Sequence, residues 1–210
     1  MTPPAKRKHG PERDRKDGRM RPDAAAGRTS PAGLEAAALD YLARYASSKA
    51  QLRRALERRI RRWASHEDAD PATARAAIPA LLAKLERLGL LDDERFALGH
   101  AASLHRRGRS LGRIRTGLAQ RGIDRDTATT ALAAVRAANP DPDFAAAAGF
   151  ARRRRLGPYR PAKERAERRA KDLASLARAG FGYEVARRVL AASTAEELEA
   201  ECHALADTAR

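Results

Sequence analysis

Asp92, Asp93 and Glu94 stand together in a chain whose formal net charge is +16. Carboxylates crowded in this way have three uses. They hold a hard cation, divide proton transfer between acid and base, or start a helix. In "KLERLGLLDDERFA" (84–97) the acids follow Gly89, and glycine best takes the left-handed position that ends a helix. Leu90 and Leu91 come next and are expected to plug a junction between two structural units. Asp92 or Asp93 then caps the following helix, and the remaining acids lie in its first turn, opposite its positive end. Asp141 and Asp143 repeat the arrangement, as Asp124 and Asp126 do one helix earlier. Acids that recur at helix starts read as caps and not as catalysts.

The other chemical candidates fare no better. His100 and His105 are five apart and diverge around a helix, whereas a zinc pair at i, i+4 would share a face. Cys202-His203 is an isolated adjacent pair, read as surface, and His9 and His66 have no partner at ligand spacing. The sequence holds neither a G-x-x-x-x-G-K-[ST] phosphate loop nor a G-x-G-x-x-G turn between strand and helix. No catalytic residue, cofactor or metal ligand is assigned, and the chain is not expected to be an enzyme.

The cationic side chains remain. The chain has 43 Lys+Arg against 27 Asp+Glu and a pI near 11.1, which calls for an anionic partner. Arginine outnumbers lysine 36 to 7, and its planar fork suits phosphates and carboxylates. Arg53, Arg54, Arg58, Arg61 and Arg62 recur over one predicted helix. Arg106, Arg107, Arg109 and Arg113 span a helix–loop–helix, and Arg152, Arg153, Arg154 and Arg155 are consecutive. Arg160, Lys163, Arg165, Arg168, Arg169 and Lys171 follow. These clusters form the candidate surface for a protein filament or for DNA phosphates. Base reading is not expected, because "DTATTALAAVRAA" (126–138), where a recognition helix would fall, is nearly bare of groups that reach base edges.

What positions these arginines is helical throughout. Hydrophobic residues make up 43% of the chain but aromatic ones only 4%, as suits closely packed helices rich in Ala and Leu. Leu34, Ala37, Ala38, Tyr41, Leu42 and Tyr45 make one apolar stripe at helical spacing, and Leu52, Ala55, Leu56, Ile60 and Trp63 make a second. Ile78, Leu81, Leu82, Leu85 and Leu88 make a third after Asp70-Pro71, a cap followed by proline at the first helical position. Pro79 requires that helix to bend or to begin there.

The stripes repeat. "GLAQRGIDRDTATTAL" (117–132) lies over "SLARAGFGYEVARRVL" (175–190), matching Leu118 with Leu176, Gly122 with Gly180 and Ile123 with Phe181. Ser48, Leu52 and Leu56 match Ser110, Ile114 and Leu118, and Phe96 and Phe144 each open a helix behind an acidic cluster. The expected organisation is a disordered basic tail (1–33), three-helix repeats over 34–89, 90–138 and 139–192, and an acidic end (193–210). Each unit is too small to stand well alone, and stacking gives an elongated, curved, all-α array with an extended binding surface. The lone Cys202 fits a reducing compartment. No apolar run spans a bilayer, so a cytoplasmic protein without membrane contact is expected.

One segment resembles a known family. "LERLGLLDDERFALGHAASLHRRGRSLGRIRTGLAQRGID" (85–124) is similar to the central signature of the RecX regulatory proteins: Gly-Leu-Leu-Asp-Asp, two residues, Phe-Ala, then a basic helix ending in a Gly-Ile turn. "ALDYLARYASSKAQLRRALERR" (38–59) looks like that family's first repeat, and "ARRRRLGPYR" with "LARAGFGYEVARRVL" like its third, with an insertion near Gly157–Lys163. The resemblance implies a monomeric, non-enzymatic modulator of the RecA recombinase in DNA repair and the SOS response. Such proteins bind in the helical groove of the RecA–DNA filament and restrain its growth, ATPase, strand exchange and co-protease activity. The alternative is a general, sequence-nonspecific nucleic-acid-binding repeat protein.

Overall fold

The structure, a computed structural model, describes residues 30–64 and 70–207. Most of the expected basic tail, residues 1–29, lies outside them. Ten α-helices and one short 3-10 turn follow in chain order, with no strand among the described residues. The first unit contains α1 (Pro31–Leu42), α2 (Lys49–Trp63) and α3 (Pro71–Arg87). The second contains α4 (Asp93–Arg106), α5 (Leu111–Gln120) and α6 (Arg125–Ala137). The third contains α7 (Pro142–Arg154), the 3-10 turn Gly157–Tyr159, α8 (Ala162–Arg178) and α9 (Tyr183–Ala191), and α10 (Ala195–Asp207) follows it.

Local chemistry sets the helix starts. Ser30, Ser48, Asp70, Asp92, Ser110, Asp124 and Asp141 each accept a backbone N–H from the first turn they precede. This is the N-cap bond that satisfies an otherwise orphaned donor. Ser30 starts α1, so residues 31–33 are helical instead of belonging to the tail. Helix α3 begins at Pro71 and continues through Pro79, which excludes a start at that proline.

Each unit has its own buried cluster. Leu34, Leu52, Leu56, Ile60, Ile78 and Leu85 lead the first, Ile114, Leu118 and Leu132 the second, and Phe144, Leu176 and Val189 the third. The outer ends of the predicted stripes emerge into solvent, since Tyr45 and Leu88 are exposed. The acidic end is not an appendage. As α10 it packs on α7 and the 3-10 turn and inserts Leu198, fully buried, into the third cluster.

Neighbouring units meet through one joint used twice. At the first, Ser48 Oγ donates to the Arg121 carbonyl at 2.6 Å, and the Lys49 N–H donates to Asp93 Oδ1 at 2.8 Å. At the second, Ser110 Oγ donates to the Ala179 carbonyl at 3.3 Å, and the Leu111 N–H donates to Asp143 Oδ1 at 2.7 Å. In each case the N-terminus of one unit's middle helix is held by the next unit. A guanidinium reinforces each contact, Arg54 on the Gln120 carbonyl and Arg113 on that of Arg178. The glycine after the facing helix is left-handed, with φ of 78° at Gly122 and 88° at Gly180. A Cβ on Gly122 would come within 2.3 Å of Ala50 Cβ, and one on Gly180 within 2.8 Å of Ser110 Oγ. Glycine is therefore required twice over, by backbone conformation and by close approach. His105 Nε2 adds a 3.1 Å contact with the Pro142 carbonyl across the second joint.

Candidate basic binding surface

The opening acids take the places expected of them, and one of them has a second task. Asp92 caps α4 through the Arg95 N–H at 2.8 Å. Asp93 lies in the first turn of α4 but spends a carboxylate oxygen on Lys49 of the preceding unit. Leu91 is buried in the first cluster at 3% exposure, whereas Leu90 is 46% exposed and does not plug the junction. Phe96 is half-buried on the second cluster, while Ile123 and Phe181 are buried directly behind Gly122 and Gly180. No group of three potential metal ligands occurs among the described residues. None of their helices is long and apolar enough to cross a membrane.

The arginines separate into those spent on the fold and those left at the surface. Arg160 belongs to the fold. It makes a two-pronged contact with Asp172, at 2.9 and 3.0 Å, and Asp172, only 2% exposed, also accepts the Gly157 N–H. That contact, more than any other interaction, holds the Arg160 guanidinium in its charged form against the opposing effect of burial. Arg165 donates to the Pro158, Arg160 and Ser193 carbonyls, and Arg169 donates to Leu190. Arg188 pairs with Asp141 at 2.7 Å and with Glu201, and lies 4.0 Å over the Phe144 ring. Much of the basic run after Arg155 is thus internal wiring of the inserted turn.

On α2, Arg53 pairs with Glu57 at 3.0 Å and Arg54 crosses to the second unit. Arg58, Arg61 and Arg62 are exposed, and Arg59 lies over Trp63. In the second unit Arg106, Arg107 and Arg109 are exposed at the end of α4 and the turn after it. In the run on α7, Arg152 faces Glu199 at 3.8 Å, Arg153 places its guanidinium against Gly108, and Arg154 lies 5.8 Å over the Phe150 ring. Arg155 closes the helix in a left-handed conformation with φ of 53°.

The second joint gathers part of this set. Two adjoining cavities of about 440 and 290 Å³ open there and share Arg109, Phe150 and Arg154. Arg113 and Arg178 line the first, and Arg107 and Arg153 the second, with no carboxylate on either wall. The α2 arginines line neither. Sequence reasoning missed Phe150, Ser175 and Arg178. Arg178 carried the available signal, because it directly precedes Ala179-Gly180-Phe181, the turn that matches Arg121-Gly122-Ile123 in the second unit.

A third cavity, of about 490 Å³, lies between the α1–α2 loop and α4. Tyr45, Leu90, Phe96 and His100 line it. The His100 ring stacks on Phe96, its buried Nε2 lacks a hydrogen-bond partner, and burial, then Arg121 and Arg107, lower its pKa.

Residues 92–132 match the family model described as the second three-helix domain of RecX. A protein of Myxococcus xanthus named regulatory protein RecX is 40% identical over 189 residues, spanning 90% of this chain and 94% of its own. The protein of the same name from Agrobacterium fabrum is 35% identical over 150 residues, 70% of this chain and 75% of its own. Among solved structures, a regulatory protein RecX superposes with a TM-score of 0.58 at 22% identity, covering 80% of this chain and 74% of that one. RecX from Lactobacillus salivarius gives 0.55 at 20% identity, covering 81% and 97%. The two solved structures share the helical fold, and the Myxococcus relative carries the assignment across nearly the whole length: the chain belongs to the RecX family of regulatory proteins.

Proposed function

We propose that this protein regulates the RecA recombinase by lying in the helical groove of the RecA–DNA filament and limiting its growth. ATP hydrolysis, strand exchange and co-protease activity fall as a consequence, in DNA repair and the SOS response. It acts in the cytoplasm as a monomer, without a cofactor and without chemistry of its own. The supporting observation is the distribution of exposed arginines. Arg58, Arg61, Arg106, Arg107, Arg109, Arg154 and Arg155 project from all three units of a chain in a family of regulatory proteins, without ion pairs among the described residues. Like charges at that density repel one another until an anionic surface covers them.

The test is a recombinase ATPase and strand-exchange assay with this protein far below one copy per recombinase protomer. Inhibition there is the expected result. Inhibition that begins only when the DNA is saturated with the basic protein would mean simple competition for DNA. That second reading, a general nucleic-acid binder, draws its support from the arginine groove at the second joint. Replacing Arg153, Arg154 and Arg155 by Glu is expected to weaken filament binding while circular dichroism keeps its helical signal.

A further inference from the structure

We infer that the groove at the second joint is a binding site for single-stranded nucleic acid, gripping successive phosphates and stacking one unpaired base on Phe150. The groove is a property of the free chain and does not depend on the filament reading.

Six arginines, Arg107, Arg109, Arg113, Arg153, Arg154 and Arg178, line it from three helices and the turn after α4. An arrangement held only for stability would interleave carboxylates, as the protein does a few residues away with Arg160 and Asp172. Here the counter-charge is missing from the walls. The fork of each guanidinium matches two oxygens of a phosphate, and several such groups in a row track a backbone.

Phe150 makes the site selective. It is half-buried, packed against Phe181 at 5.9 Å, yet it lines both cavities and has Arg154 over its ring at 5.8 Å, a long mobile side chain that an incoming base would displace. An aromatic face set among arginines is the arrangement that takes an unpaired base while cations hold the strand. In a duplex the base faces are already occupied by their neighbours. Carboxylates of an acidic protein would meet the arginines but leave the ring unused. Ser175 adds a hydroxyl to the wall.

The experiment uses the full chain and a short fluorescent oligothymidylate, read by anisotropy across a salt series. Arg109→Glu combined with Arg154→Glu is expected to weaken binding at least about tenfold. It should also make the log–log salt slope shallower by about 1.4, the loss of two single-strand phosphate contacts. Phe150→Leu, which keeps an apolar contact with Phe181, is expected to weaken binding about five- to tenfold with the slope unchanged. Arg58→Glu with Arg61→Glu alters net charge equally on the first unit and should leave affinity within about twofold, because distant charges are screened. Equal loss in that control would overturn the site in favour of diffuse charge attraction. So would a Phe150→Leu chain that binds as tightly as the parent. Displacement of the strand by poly-glutamate as readily as by unlabelled oligothymidylate would assign the groove to acidic protein instead. A misfolded variant would reveal itself by circular dichroism, and crosslinking of photoreactive thymidine to Phe150 in the unaltered chain then decides the matter. Crosslinks confined to other helices would exclude the groove.

Discussion

Adjacent leucines at 90 and 91 have opposite fates, and substitution separates them. Leu91→Asp places a carboxylate inside the first cluster and is expected to destabilise the chain by about 3 kcal/mol or more. Leu90→Asp should shift stability by no more than about 0.5 kcal/mol. Urea midpoints measure both, and a harmless Leu91→Asp would remove that leucine from its assigned core. Tyr159 offers a second test. Its hydroxyl donates to Glu199, and burial first, then that hydrogen bond, push its pKa from 10.0 up to about 12. Between those values the folded state keeps a proton that the unfolded chain releases, so stability falls as pH rises through the window. Tyr159→Phe should flatten the decline in unfolding midpoint over that range, and an unchanged slope would show that the phenol does not drive it. At this scale the sequence was a partial guide. The residue types of the acids and leucines were legible, but which of two neighbours turns inward is decided by a packing angle. The basic run after Arg155 looked uniform because Asp172, the partner that internalises Arg160, is twelve residues away and looks like any other helix acid.

Helices were the legible elements, because their period and caps are written locally. Ser48, Asp92, Ser110 and Asp124 cap the helices they precede. Less visible was that some of those residues serve two elements. Ser48 caps α2 and also bonds to the Arg121 carbonyl of the next unit, so its hydroxyl holds a helix and a joint together. Ser48→Ala is expected to cost about 1–2 kcal/mol, and Gly122→Ala about 2–4 kcal/mol, from left-handed strain and the clash with Ala50. Thermal unfolding of each variant checks the values. A Gly122→Ala protein as stable as the parent would mean that the joint yields freely. Repetition of Gly122 as Gly180 was readable in the sequence. Its reason was not, since the residues that crowd each glycine, Ala50 and Ser110 with Arg113, lie about seventy positions earlier.

On the scale of the whole molecule, stiffness depends on the two joints. Asp93→Ala and Asp143→Ala together remove one side-chain acceptor from each and leave the N-caps Asp92 and Asp141 in place. The double variant is expected to keep its helical content while small-angle scattering shows a broader distribution of interatomic distances. An unaltered distribution would show that apolar packing alone fixes the angle. Salt belongs to this scale as well, because the exposed arginines act together and their pull on an anionic partner weakens as ionic strength rises. The acidic α10 limits that pull on one side of the third unit by engaging Arg152 and Arg188.

A joint that uses the same serine, aspartate and glycine twice would, if both copies set the same angle, apply one rotation and translation twice. Any rigid movement repeated in this way is a screw, so successive units would advance along a spiral whose pitch is written into a hydroxyl, a carboxylate and a missing methyl group. On the filament reading proposed above, such a length of screw thread would meet a partner that is itself threaded. Lengthening or shortening that thread by one unit would alter how many turns it engages without changing its pitch.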